Sequence, residues 1–282
     1  MLDDPISSFD SIYKNKIAFS IIKILEDKKQ IILTHNTELI RLLYFQYKNC
    51  FNLYMFNNID NGENGFIPVN EQEREILLNL NKLLDLFRNE IVEEIKDERL
   101  FLISMIPFMR GYANIIGNSH KYKSLSKVMH GYEKRTVDIS YIYKVLFKKK
   151  ISEVKHKVSV KDILELNLNE IEILNKEKYP LLNKTLKHTL TYLFLRLKVE
   201  KVLIDKYKID TEKEKEQALQ NIINKAFIKD TDKRIFFTSR KTLLNEFNHF
   251  EGNMNIFQPA IDITETALKK EFDDINRELS LL

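Results

Sequence analysis

The stretch Leu2-Asp3-Asp4-Pro5-Ile6-Ser7-Ser8-Phe9-Asp10, followed downstream by Ile31-Ile32-Leu33-Thr34-His35-Asn36, decides how this chain is read. In the first segment an apolar residue runs into two adjacent carboxylates and a Pro, the pattern of a strand end entering a turn. In the second, an apolar run stops at Thr34-His35, and Asn36 stands where it can cap a following helix. Between them Ile12, Ile17, Phe19, Ile21, Ile22, Ile24 and Leu25 predict a helix over about 11–26. Two strand ends would thus deliver carboxylates and an imidazole to the same edge of a sheet. That set suits chemistry at a phosphate: one carboxylate holds Mg²⁺ directly or through water, its neighbour orients an attacking water, and the His contacts a phosphate oxygen.

Outward from these segments, a second helix is predicted over about 37–47 and a strand over 51–56, giving residues 1–57 a helix–strand–helix–strand tail typical of a parallel-sheet domain. The segment Asn57–Asn70, with Gly62-Glu63-Asn64-Gly65, reads as turns and marks a boundary. From Glu71 to the C-terminus nearly everything reads as helix. Residues 71–96 carry Ile76, Leu77, Leu80, Leu83, Leu84, Phe87 and Ile91 at helical spacing, and 100–116 is strongly apolar, with Pro107 a kink or break. Further helices are expected over 123–131, 138–147, 181–207, 212–227, 241–251 and 266–279, while 158–167 fits a short strand or a helix equally. The fold class is mostly α: a short α/β segment over 1–57, then a large all-helical domain over 71–282.

Composition agrees. The 282 residues are 44% hydrophobic and 30% charged, with six Gly and five Pro, a balance that favours helices over turns. The lone Cys50 excludes an intrachain disulfide framework and suits a reducing cytosol. The apolar run from Leu100 to Met109 is interrupted by Ser104 and Pro107 and falls far short of the roughly 20 residues that span a bilayer. A cytoplasmic protein without membrane association is expected. The net charge of +4 permits nucleic-acid contact without requiring it.

The N-terminal motifs resemble the Walker B, D-loop and switch-histidine motifs of ABC-type ATPases, which in their usual form run Leu-Asp-Glu-Pro-x-Ser-x-Leu-Asp and then Thr-His. The Asp3-Asp4-Pro5-Ile6-Ser7-Ser8-Phe9-Asp10 spelling is similar to that of bacterial SMC-like AAA-family ATPases near anti-phage loci, the class that includes the anticodon-nuclease ATPases. Met129-His130-Gly131-Tyr132 and the run from Leu243 to Met254 agree with that class in general form. The resemblance implies ATP and Mg²⁺ as cofactors. Asp3 would serve the metal, Asp4 the attacking water and His35 the γ-phosphate, with Ser7 and Asp10 at the interface of an ATP-sandwiching homodimer. No Gly-x-x-x-x-Gly-Lys-Ser/Thr loop is present to cradle phosphates. The chain therefore reads as the C-terminal part of a longer ATPase, partnered by itself or by a missing N-terminal half, and by itself it is expected not to hydrolyse ATP.

In the helical domain Arg196 and Glu200 share one face of an apolar helix. They are similar to the Arg-x-x-x-Glu of anticodon nucleases, for which His249 is the downstream His. On that reading Glu200, His249 and Arg196 would supply base, acid and charge stabilisation for RNA cleavage. The bland reading is a structural ion pair. Nine residues intervene between Arg110 and His120, too many for the Arg…His motif of HEPN-type ribonucleases. His130 with Tyr132 reads as a turn packed on the core. The basic run Lys144, Lys148, Lys149, Lys150, Lys155, His156, Lys157 and Lys161 suits either RNA or DNA phosphates or a solvated surface. Two rivals to a defence ATPase with an RNA-cleaving effector stay open: a DNA-repair or chromosome-structure ATPase whose helical domain only binds, and a non-catalytic adaptor.

Overall fold

The computed structural model describes residues 1–5, 10–47, 51–57, 65–169, 171–210, 219–245 and 254–282. It is predominantly helical with a few short strands, and it divides into two compact units, Met1–Leu83 and Leu84–Leu282. Among the described residues no helix is long and apolar enough to cross a membrane.

In the first unit β1 (Leu2–Asp3) pairs in parallel with β2 (Ile32–Leu33), joined through helix α1 (Ser11–Ile24). Helix α2 (Thr37–Gln46) follows, and Asn36 caps it by accepting the Glu38 N–H at 2.9 Å, as the sequence predicts. Ala18 of α1 packs with Leu39 and Leu43 of α2, flanked by Ile17, Ile22, Ile32, Leu42 and Phe51. The expected strand over 51–56 does not join this parallel pair. It forms β3 (Tyr54–Asn57), which pairs antiparallel with β4 (Gly65–Pro68) inside the segment read as turns. The ring pair Phe56–Phe66 bridges the two strands, with centroids 5.7 Å apart, and Gly65 adopts a φ of 124° open to glycine alone. Helix α3 (Glu71–Leu78) lies in the first unit, where Arg41 donates through Nε to the Leu78 carbonyl at 3.1 Å.

The predicted helix over 71–96 is broken. Asn79 takes an extended conformation, and its side-chain oxygen accepts the Asn81 N–H at 2.9 Å to start helix α4 (Leu80–Asp85). A short polar side chain that satisfies the backbone locally competes with helix continuation. A π-helical turn (Leu86–Glu90) and a 3₁₀ turn (Ile91–Glu94) complete the stretch. The buried Tyr143 hydroxyl donates to the Phe87 carbonyl at 2.8 Å in that π turn, and burial raises the Tyr143 phenol well above its ordinary pKa. Helix α5 (Glu98–Ser104) ends one residue before α6 (Ile106–Ile115), so Pro107 marks a break and sits in a first turn, where its missing N–H costs nothing. Then come α7 (Ser119–Ser126), β5 (Val137–Asp138), α8 (Ile139–Phe147), β6 (Lys157–Val158) and α9 (Val160–Leu164). Strands β5 and β6 pair antiparallel, so the ambiguous 158–167 segment is a strand end followed by a helix.

Helix α10 (Pro180–Tyr207) is the axis of the second unit. Apolar residues surround it on nearly all sides, as a buried helix requires. Its Leu195, Val199 and Leu203 pack with Leu219, Ile222 and Ile223 of α11 (Leu219–Ala226), Phe237 of α12 (Thr231–Ser239), Leu244 of α13 (Lys241–Leu244), and Ile275 and Leu279 of α15 (Glu265–Ser280). Each such side chain contributes roughly 1.5–3 kcal/mol by leaving water. Helix α12 and the short α14 (Gln258–Asp262) were not expected from the sequence, although Asp230 caps α12 by accepting the Lys233 N–H at 3.0 Å. The remainder of the helices predicted over 212–227 and 241–251 lies outside the described residues.

Candidate functional site

Two constellations emerge, one in each unit. In the first, β1 and β2 end side by side, because Leu2 pairs with Ile32 and Asp3 with Leu33. Asp4 follows directly with a φ of 38°, left-handed and uncommon for a residue with a side chain. Its N–H donates to the Leu33 carbonyl at 2.7 Å, which holds the backbone against the end of β2. The Thr34 hydroxyl donates to Asp4 Oδ1 at 2.7 Å, and His35 Nδ1 lies 3.4 Å from Asp4 Oδ2. Thr34 Oγ1 also accepts the Asn36 N–H at 2.9 Å, so one hydroxyl links the carboxylate to the cap of α2. The Asp4 side chain is only 14% exposed, whereas that of His35 is 70% exposed. A held carboxylate and an exposed imidazole beside it therefore share one edge, with Asp3 exposed next to them. Asp10 is exposed at the N-terminus of α1, where its carbonyl rather than its side chain caps the helix. Ser7 lies outside the described residues.

In the second unit Arg196 and Glu200 meet as their four-residue spacing predicts. Arg196 Nε donates to Glu200 Oε1 at 2.6 Å and Nη2 lies 2.5 Å from the same oxygen. The pair is deeply buried, Glu200 completely so. What spacing could not reveal is the partner of the other oxygen: the Gly131 N–H donates to Glu200 Oε2 at 2.7 Å, from 69 positions upstream. His130 Nδ1 lies 3.7 Å from Oε1, and its ring stacks on Tyr132 with centroids 5.2 Å apart. Arg196 Nη1 donates to Asn245 Oδ1 at the end of α13. Burial opposes ionisation of Glu200, yet Arg196, His130 and the Gly131 N–H together outweigh it and hold the carboxyl below its ordinary pKa. His249 lies outside the described residues.

Gly131 is required by geometry. A Cβ there would stand 2.7 Å from the Leu197 carbonyl oxygen, 2.7 Å from the Lys201 nitrogen and 2.8 Å from Glu200 Cβ. The His130–Tyr132 turn therefore lies directly on the α10 backbone. Beside it opens a cavity of about 690 Å³ lined by Gly131, Tyr132, Lys134, Lys201, Ile204 and Lys208 among others. The only available sequence signal for this approach was the rarity of Gly, six in 282 residues, which makes each one a marked position.

Arg110 donates to Ser126 Oγ and Tyr122 Oη, so its guanidinium serves the α6–α7 packing. The basic run is partly engaged locally: Lys149 donates to the Asn89 carbonyl, Lys150 pairs with Glu153, and His156 Nε2 lies 3.4 Å from Glu98. No protein-family model, curated protein or solved structure matches the chain.

Proposed function

We infer that residues 1–57 supply the Walker B, D-loop and switch-histidine part of an ABC-type ATPase site, in a protein of the bacterial defence-associated class. The observation that carries this reading is the convergence of Asp4, Thr34 and His35 at the carboxyl ends of two adjacent parallel strands. Ligand sites in parallel sheets form at that edge. The left-handed backbone of Asp4 adds support, since strain of this kind gathers at functional positions.

Asp3, exposed at the end of β1, fits a magnesium ion, which binds through one or two carboxylates together with nucleotide phosphates and water. Bound there, Mg²⁺–ATP would supply charge neutralisation on the phosphates. Asp4, fixed by Thr34, would orient water, and the exposed His35 would contact the terminal phosphate. Neither the phosphate-cradling loop nor its Lys occurs in this sequence, so both must come from another segment. One feature favours completion by such a segment: parallel sheets are normally covered on both faces, and this unit leaves Ile31 before β2, Phe19 and Ile24 of α1 and Phe45 of α2 exposed.

For the helical unit, binding is favoured over RNA cleavage by Arg196, Glu200 and His249. A general base needs a lone pair facing its proton, and both Glu200 oxygens are engaged in a fully buried setting. The test is ATP turnover by the chain alone and by an assembly co-purified with a Walker A polypeptide from the adjoining coding sequence. No turnover alone, turnover in the assembly and its loss in Asp4→Asn are expected. Turnover indifferent to both Asp4→Asn and His35→Ala overturns the reading.

A further inference from the structure

The cavity beside the Gly131 turn has a composition that neither the ATPase reading nor the Arg196–Glu200 pair requires. Its wall carries four ammonium groups, Lys134, Lys161, Lys201 and Lys208, against two carboxylates, Glu133 and Asp205. Lys201 pairs with Asp205 at 3.1 Å, and Lys161 reaches Glu165, outside the cavity, at 3.7 Å. Among the described residues no ion pair engages Lys134 or Lys208, and both are exposed. The C-terminus of α10 also faces this region, and its dipole contributes roughly −0.5 charge. The cations prevail even so, leaving the lining net positive by about 1.5 charges on that accounting.

The rest of the wall combines Tyr132, Val160, Ile204 and Ile209 with the hydroxyls of Thr136 and Ser159. A volume of about 690 Å³ lies in the range of small-ligand sites, roughly 300–1,000 Å³. The turn that carries Tyr132 is tied to α10 by the Gly131 N–H, which donates to Glu200 Oε2, and it lies directly on the helix backbone. Ammonium groups together with aromatic and aliphatic surface lining one cavity match a ligand with a phosphate and a planar base.

We propose that this cavity binds a nucleotide through its phosphate, with Lys134 and Lys208 as the phosphate contacts and the Tyr132–Ile209 side receiving the base. The nucleotide is either free or part of a single strand, and both share this chemistry. The proposal does not rest on the ATPase reading: the cavity lies wholly within the second unit.

The test uses the full chain with two probes, AMP followed by calorimetry and a labelled single-stranded RNA of about ten nucleotides followed by fluorescence polarisation. The variant is Lys134→Glu with Lys208→Asn. Asn is chosen because Lys208 has a φ of 50°, a conformation that Asn tolerates, and an unchanged melting temperature verifies the fold. Binding is expected to weaken by about tenfold or more near 50 mM salt, and the salt slope for RNA is expected to fall by about 1.4, two phosphate contacts at roughly 0.7 each. AMP binding lost in the variant identifies a free nucleotide as sufficient. RNA binding without AMP binding identifies a strand, and either supports the proposal. Three results overturn it: no binding of either probe by the wild-type chain, no loss in the double variant, or an equal loss in Lys144→Glu, which lies outside the cavity wall.

Discussion

Replacing Gly131 by Ala tests the close approach of its turn to α10. The added methyl would stand 2.7 Å from the Leu197 oxygen and from the Lys201 nitrogen, and 2.8 Å from Glu200 Cβ. Two of these three atoms are backbone of the buried helix α10, so the turn must retreat rather than the helix. Overpacking of this kind costs about 1–3 kcal/mol. Retreat also draws the Gly131 N–H away from Glu200 Oε2, its 2.7 Å acceptor, and leaves a buried carboxylate oxygen without its donor, a further 1–3 kcal/mol or so. The expected loss is therefore about 4 kcal/mol, a large part of the 5–15 kcal/mol typical of a domain. Equilibrium urea denaturation followed by far-ultraviolet circular dichroism measures it. Gly117→Ala is the control: its φ of 72° disfavours Ala, but nothing lies within 4 Å, so only about 1–2 kcal/mol of backbone strain is expected. A Gly131→Ala loss of about 1 kcal/mol or less, or one equal to the Gly117→Ala loss, would refute the close-approach reasoning.

Arg196→Met removes the main counter-charge of a completely buried carboxylate, and a loss of about 3–5 kcal/mol is expected in the same denaturation assay; a loss within about 0.5 kcal/mol would mean that solvent reaches Glu200. His188, buried among α10 neighbours with Nδ1 3.2 Å from the Pro259 carbonyl, has its pKa lowered to about 4 by burial and by Lys184. Because the unfolded imidazole binds its proton near pH 6.5, stability is full above that pH and falls as pH drops toward 4, by about 3 kcal/mol at about 1.4 kcal/mol per unit. Below pH 4.5 protonation of Glu200 deepens the fall, and the slope between pH 6.5 and 4.5 should vanish in His188→Phe. On the proposed ATPase reading, His35→Ala and Asp4→Asn should slow turnover of the assembly by about 10²–10⁴-fold while nucleotide binding persists; normal turnover in either is the contrary result.

The N-terminal cluster was legible because its information is local. Leu2–Asp4 and Ile31–His35 are short runs, and a parallel crossover through one helix brings their ends together. Strand β3 was misplaced because an apolar run of this length does not reveal its partner, and the partner β4 lay within a segment whose glycines read as turns. The long helix over 71–96 failed at Asn79, where periodicity says nothing about a side chain capping the next helix. Likewise Arg196 and Glu200 were found by spacing on one helix, while Gly131 and Asn245 were not, because their contacts depend on tertiary folding.

That difference bears on why a charged pair occupies the middle of α10 at all. For stability alone, well-packed hydrophobic residues usually serve as well or better, by about 1–4 kcal/mol. The pair does something hydrophobic residues cannot: Glu200 accepts an N–H and so fixes the register of the His130–Tyr132 turn, while Arg196 reaches across to Asn245. In the double variant Arg196→Met, Glu200→Leu, the gain from removing two buried charges offsets the orphaned Gly131 N–H, itself worth about 1–3 kcal/mol. Net stability should stay within about 2 kcal/mol of the wild type, far from the loss expected of Arg196→Met alone. The turn, however, loses the bond that sets it, and Tyr132 with it. Nucleotide binding in the cavity should therefore weaken although Lys134 and Lys208 are untouched and the fold persists. A double variant as stable as the wild type that also binds AMP and RNA undiminished would show that packing alone places the turn, and that the ion pair contributes nothing to the cavity.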